Sequence, residues 1–301
     1  MKPTADEMSR RREFFADASR HTPLLAVDSG GCRYLVATWD VKVGRSLFAN
    51  RRRAEMVALR KAIDVASASS GAAGWEGGTF LDVGANIGTT TIAALASGRF
   101  AAVIALEPEL ENVRLLRANA ALNGFEREVK VLPVAASDRE GIAHLRMSVK
   151  NSGGHSVAIE DPSEPTARAI QVVRLDHLVE RGVIDPDRVG MVWVDAQGHE
   201  GHVVRGAQSL VRRGIPVVLE FAPAQLAASS RLETLLDDAR EHYTHFVDLR
   251  TAALGAIRRS EVLRPVGELT RLVDALDAQD RVFTDIQLLR VPRRSASRRL
   301  A

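Results

Sequence analysis

The sequence predicts an α/β protein with a mainly parallel, doubly wound sheet and an antiparallel strand pair near its C-terminal end. Three observations lead there. From Thr79 onward, short apolar runs alternate with helix-length stretches. Two of these runs, Thr79 to Val83 and Ala102 to Glu107, carry an acid at or near their ends. A glycine bend, Gly84-Ala85-Asn86-Ile87-Gly88, follows the first run and opens a helix. Strands joined by helices require right-handed crossovers, hence a mainly parallel sheet covered on both faces.

In chain order, residues 1–22 read as a polar helix or a disordered lead. Leu24 to Thr38, broken by Asp28-Ser29-Gly30-Gly31, reads as a β-hairpin. Arg53 to Ser67 carries apolar residues at helical spacing, and Ser67 to Gly78 is an Ala/Ser/Gly-rich joint. Strand 79–83 and helix 88–97 follow, then strand 102–107, helix 109–123 closed by Asn123-Gly124, and strand 129–134. Ala136 to Ser148 reads as a hairpin and Asn151 to Ala167 as a loop. Gln171 to Leu175 is a short strand, and Gly190 to Asp195 is a strongly apolar one. A helix is expected from Glu200 to Arg213, a strand from Pro216 to Phe221 and a helix over 229–242. Tyr243–Leu249 and Phe283–Val291 form the closing antiparallel pair, with a helix over Ser260–Ala278 between them. Three regions result: a lead at 1–74 with the hairpin and an amphipathic helix, the main domain at 75–292, and a basic tail at 293–301.

Of the 301 residues, 46% are hydrophobic and 26% charged, the balance of a globular chain that can bury a large core. The single cysteine, Cys32, excludes an internal disulfide framework and a cysteine-rich zinc site. No segment reaches the roughly 20 apolar residues of a membrane span. Residues 1–20 are charged, without the apolar stretch of a signal peptide. The expectation is a cytoplasmic protein without membrane contact. Net charge is +3, concentrated in Arg51-Arg52-Arg53 and the tail; no aromatic residues are interleaved to stack bases, so no nucleic-acid partner is expected.

The two acidic strand ends describe an adenosine pocket. An acid at the second, Glu107, can accept hydrogen bonds from ribose hydroxyls. A dinucleotide site would want Gly-x-Gly-x-x-Gly with pyrophosphate on the helix N-terminus. Here the middle glycine is missing, and the carboxylate of Asp82 suits a cationic or zwitterionic amino-acid moiety. No lysine follows Gly88, so the phosphate-loop motif is absent. The expected cofactor is therefore S-adenosylmethionine. Asp82 would face its ammonium, Gly84, Ala85, Asn86 and Gly88 would pass under its carboxylate, and the Ala136-Ser137-Asp138 turn would border the adenine.

A second constellation starts from Met191-Val192-Trp193-Val194-Asp195 and continues Ala196-Gln197-Gly198-His199-Glu200 to Gly206-Ala207. Together with Asp82–Gly88, Glu107-Pro108, Ser137-Asp138 with Gly141, and Arg174-Leu175-Asp176, it resembles the FkbM family of S-adenosylmethionine-dependent methyltransferases over residues 75–222. The resemblance implies a Rossmann-like class I methyltransferase fold and methylation of a hydroxyl on a small-molecule acceptor, a sugar or secondary metabolite. The family usually has Lys two residues before this aspartate and Glu two after; here they are Trp193 and Gln197. Trp193 shares a strand face with Asp195 and reads either as core or as a wall of an apolar acceptor pocket.

An alcohol acceptor must lose its proton, so a base within hydrogen-bond reach helps. The candidates are Asp195, His199 and Glu200; Glu200 equally suits the first turn of a helix. His155 and Glu220 are further residues near the carboxyl edge. Asp195, His199 and His202 could be drawn as a metal site, but His199-Glu200-Gly201-His202 lacks the i, i+4 spacing of a zinc helix, and no metal is expected. Two rival readings remain: a nicotinamide-dependent oxidoreductase, and a non-catalytic nucleotide-binding module. Oligomeric state leaves no signal in the sequence.

Overall fold

The computed structural model describes residues 4–51, 53–70, 75–148, 151–158, 167–229, 231–251, 262–279 and 281–291. The predicted basic tail at 293–301 lies outside these residues, as does part of the joint before Gly78.

The N-terminal region holds α1 (Ala5–Ala18), the strands β1 (Leu24–Ser29) and β2 (Cys32–Ala37), α2 (Val43–Asn50) and α3 (Ala54–Ser70). A capping box starts α1: Thr4 Oγ1 accepts from the Glu7 amide, and Glu7 accepts from the Thr4 amide. β1 and β2 pair antiparallel through Gly30 and Gly31, both at positive φ.

The main domain then runs β3 (Thr79–Val83), α4 (Thr89–Ala96), β4 (Ala102–Leu106), α5 (Leu110–Leu122), β5 (Val129–Leu132), β6 (Ala135–Ala136), β7 (Gly141–Arg146), β8 (Ser156–Ala158) and β9 (Ala167–Val173). It continues with α6 (Leu175–Glu180), β10 (Val189–Val194), α7 (Glu200–Arg205), α8 (Gln208–Val211), β11 (Val217–Phe221), α9 (Pro223–Ala228) and α10 (Leu232–His242). β12 (His245–Asp248), β13 (Arg264–Pro265), α11 (Leu269–Ala278) and β14 (Thr284–Leu289) close the chain.

The main sheet has the order β13-β12-β14-β11-β10-β3-β4-β5. Strands β5, β4, β3, β10 and β11 are parallel, whereas β14 is antiparallel to both β11 and β12. The chain leaves β3 toward β4 and β5 and returns on its other side to β10. That reversal makes a crevice at the carboxyl ends of β3 and β10, where open α/β sheets bind ligands. Every residue of β10 is buried, which accounts for its unbroken apolar run. Alternation sends Leu81, Val83, Val192, Val194 and Leu219 into one apolar layer and Phe80, Met191, Trp193 and Val218 into the other. Trp193 is therefore core, 3% exposed.

α3 fastens the N-terminal region to the sheet: Lys61 Nζ donates to the Leu249 carbonyl at 2.6 Å, and Gln287 Nε2 to the Ala62 carbonyl at 3.0 Å. Its C-terminal end leads toward the start of β3, so its first turns overhang the carboxyl edge.

Three sequence expectations change. Ala136–Ser148 is not a self-paired hairpin: the longer β9 comes between, giving a second sheet ordered β6-β9-β7-β8. The helix expected over Glu200–Arg213 divides at Gly206-Ala207. A Cβ at Gly206 would stand 1.9 Å from the Ser137 carbonyl, and Asp176 caps the restart by accepting from the amides of Gln208 and Ser209. Within Ser260–Ala278, whose first two residues lie outside those described, Arg264 and Pro265 pair with β12 and interrupt the expected helix, which then runs Leu269–Ala278. Among the described residues, no helix is long and apolar enough to cross a membrane.

Candidate active site

The crevice is a cleft with about 550 Å³ of open space, its walls including Gly84, Asn86, Glu107, Gly153, His155 and Asp195. Gly84 has φ +80, and a Cβ there would lie 1.9 Å from the Asp195 carbonyl oxygen, so only glycine lets the two strand ends cross this closely. Asn86 adopts a left-handed φ of 51 and accepts the Ile87 amide on its own side chain. All five amides from Gly84 to Gly88 have protein acceptors: Leu106 O twice, Glu107 Oε2, Asn86 Oδ1 and Ala85 O. The bend thus offers a shaped floor rather than free donors.

Glu107 is braced. Oε2 accepts from the Asn86 amide at 2.8 Å, and Oε1 from the Glu109 amide at 2.9 Å and Asn112 Nδ2 at 3.3 Å. Burial pushes its carboxyl up to about 7, against the pull of these donors. A carboxylate has about four lone-pair sites, so one stays open toward a hydroxyl. Asp82 is wholly buried and is not on the cleft wall. Its Oδ2 accepts from the hydroxyls of Thr90 (2.7 Å) and Thr91 (2.5 Å), while Oδ1 has no partner. Burial raises it to about 6, and a cation or a bridging water would satisfy the orphaned oxygen. The donor set, the orphaned atom and the glycine floor fit an adenosine cofactor with a charged amino-acid end.

At the far end of the cleft, Asp195 follows β10. Its Oδ1 accepts from Gln197 Nε2 at 2.7 Å, and the same amide approaches Glu220 Oε1 at 3.5 Å. Gln197 holds this position with a left-handed φ of 50. Burial first, then Glu55, Glu200 and Asp285, push Asp195 above the usual carboxylate range. Glu220 is raised by burial and by Asp195, Glu200 and Asp285, with Arg250 opposing. Asp195, Glu200 and Glu220 bring carboxylate oxygens within 4.8 Å of one another. Glu200 is fully buried, does not line the cleft, and accepts from the Ala196 and Gly198 amides, so it braces the loop that leads into α7.

His199 does not line the cleft; it is 4% exposed. Its Nε2 hydrogen-bonds Ser137 Oγ at 3.0 Å, and its ring stacks on His202 with centroids 4.2 Å apart. His202 Nδ1 in turn lies 3.1 Å from Asp138 Oδ2, which also pairs with Arg231. Burial drives His199 down to about 3, which makes it a poor proton acceptor at neutral pH. Ser137 belongs to the same buried node; Ala135 and Ala136 form the wall beside it. His155 does line the cleft, its Nδ1 accepting from the Ser148 amide at 2.9 Å.

Asn112 and Asp285 escaped the sequence reading. The alternation Thr284-Asp285-Ile286-Gln287-Leu288 carried the signal for the second, since it puts Asp285 and Gln287 on one strand face.

The family model for the methyltransferase FkbM domain matches residues 82–246, more than half of the chain and all the groups just described except Glu55, Arg250 and Asp285. The chain belongs to the FkbM methyltransferase family. S-adenosylmethionine is the cofactor that this membership brings, on a Rossmann-like fold. No curated protein matches the sequence. Among solved structures, methyltransferase FkbM from Methylobacillus flagellatus is similar at 18% identity and TM-score 0.37, covering 53% of this chain and 37% of that one. TYW2 from P. horikoshii, in complex with MeSAdo, gives 12% identity and TM-score 0.41 over 89% and 72% of the two chains. Precorrin-6y C5,15-methyltransferase from Geobacter metallireducens gives 12% and 0.37 over 77% and 87%. The chain thus spans little more than a third of its Methylobacillus relative.

Proposed function

We propose that this FkbM methyltransferase methylates a hydroxyl of a small-molecule acceptor, a sugar or secondary metabolite, with Asp195 as the base. The single observation behind this reading is that Asp195 alone of the three candidate bases lines the cleft, while Glu200 and His199 are committed within the protein. The cofactor supplies an electrophilic methyl group when bound. Glu107 would hold it through a ribose hydroxyl, Asp82, behind the cleft wall, would draw its ammonium through a bridging water, and Gly84, Ala85, Asn86 and Gly88 would shape the floor beneath it. Asp195 accepts the proton from the acceptor hydroxyl, and Gln197 fixes the carboxylate so that its free oxygen keeps one orientation. Alignment of acceptor oxygen and methyl at about 3 Å then supplies much of the rate.

The reading keeps 75–292 as the cofactor-binding unit, with the 1–74 lead over its carboxyl edge. It also keeps a cytoplasmic setting, supported by the single cysteine, and assigns neither a nucleic-acid partner nor a membrane. The test is a cell-extract screen with methyl-labelled cofactor and mass analysis of the product. A label on an alcohol oxygen supports the reading. A label on nitrogen or carbon, or none at all, rejects it.

A further inference from the structure

A cavity of about 790 Å³ of open space lies where α1, one side of α2 and the start of α3 meet. Arg12, Lys42, Arg45 and Arg53 line it, together with Ser46 and Asn50. Arg53 is paired with Glu55. Among the described residues, the side chains of Arg12, Lys42 and Arg45 have neither an ion pair nor a hydrogen bond. Three unneutralised cations therefore share one hollow.

Their placement works against local stability. Lys42 is the N-cap of α2 and Arg45 stands in its first turn, which holds no acid. Cations there oppose the helix dipole, and like charges three apart on a helix repel each other. Asp40, the nearest acid in sequence, is spent on the amides of Lys42, Val43 and Gly44 and on the Ser152 hydroxyl. Local structure thus gives no reason for these charges, and a ligand of opposite sign does.

The start of α2 links the cavity to the reaction site. Asp40 ties the start of α2 to Ser152, which lines the cofactor cleft, and Val43 packs against Gly153 of the same wall. On the other side Glu55, a wall of the cavity, acts on Asp195 and Asp285 as a like charge. An acceptor bridging cavity and cleft would meet cations at one end and the carboxyls of Asp195 and Glu220 at the other. Its negative group is attracted to the first and repelled by the second, which fixes the molecule end for end. Arginine in pairs suits the planar or tetrahedral oxygens of carboxylate and phosphate.

We propose that the basic cavity formed by Arg12, Lys42 and Arg45 binds an oxyanion, a phosphate, sulfate or carboxylate, carried by the methyl acceptor, so that the acceptor's hydroxyl is presented to Asp195. The proposal rests on the hydroxyl-methylation reading and narrows its substrate class.

Two arms test it. In the first, inorganic phosphate is titrated into the full chain and into Arg45→Gln and Lys42→Glu/Arg45→Glu variants, read by calorimetry and thermal shift. S-adenosylhomocysteine binding within twofold of wild type shows that each variant is folded. Saturable phosphate binding that weakens at least tenfold in the double variant, with a smaller loss in Arg45→Gln, supports the site; equal binding in all three overturns it. In the second arm, labelled product from the extract screen is passed over an anion exchanger. Retention, together with an acceptor KM raised at least tenfold in the double variant, supports an anionic acceptor. A labelled product that is neutral overturns the oxyanion proposal and leaves hydroxyl methylation standing. Label found only in RNA, or on no oxygen, removes the reading of a small-molecule hydroxyl acceptor itself, whatever phosphate does.

Discussion

Glu107 and Asp195 each follow a buried parallel strand and each face the same cleft, yet their surroundings differ. Glu107 is gripped by the Asn86 and Glu109 amides and by Asn112. Asp195 has Gln197 as its side-chain donor and carboxylates around it. The braced acid is built to accept hydrogen bonds in one fixed direction, as binding requires. Burial raises both acids toward neutral pH, but the crowded one has a single side-chain donor and keeps an oxygen open to take a proton, the arrangement general-base chemistry uses. The difference lies in the neighbours rather than in the position on the strand.

Four experiments break or sharpen this contrast. Asp195→Asn should lower turnover by about 10²- to 10⁴-fold while S-adenosylhomocysteine affinity by calorimetry stays within a few-fold. Full activity would move the base elsewhere. Glu107→Ala should do the reverse, raising the cofactor dissociation constant about tenfold or more, since a charge-assisted hydrogen bond contributes roughly 1.5–3 kcal/mol. Unchanged affinity would show that the bracing serves only the fold.

His199→Gln should leave neutral turnover within a few-fold of wild type and change acid stability instead. Its folded pKa is depressed, so its contribution is present above 6.5 and is lost as pH falls toward about 3. Denaturant midpoints measured from pH 7 to 4 should therefore fall less steeply in the variant, and parallel curves would count against the buried neutral histidine. The smallest effect belongs to Asp285→Asn. Removing this like charge lowers the Asp195 pKa, so the rising limb of the pH–rate profile should move toward acid by on the order of half a unit, about 0.7 kcal/mol. A shift toward alkali would reverse the electrostatic assignment.

Much of the main sheet was legible, because strands buried on both faces read as apolar runs and glycines mark the bends between them. The limits of β3 match the expectation residue for residue. The second sheet was not legible: β7 pairs with β8 and β9 across a long stretch of chain, and nothing local encodes such partners. At the site, Glu107 and Asp195 stood out because acids at strand ends are legible by position. His199 and Ser137 did not show their inward bond, which depends on how closely α7 approaches β6. The cations of Arg12, Lys42 and Arg45 are scattered over 34 positions of sequence and meet only through the packing of α1 on α2.

Gly84 and Asp195 touch backbone to backbone, and the Asp195 amide donates to the Val83 carbonyl at 2.9 Å. On the proposed reading, the bend beneath the methyl donor and the loop that carries the proton acceptor are thereby one rigid joint. Neither can drift without dragging the other, so the spacing between donor and acceptor is set by main-chain geometry and survives changes to the side chains around it.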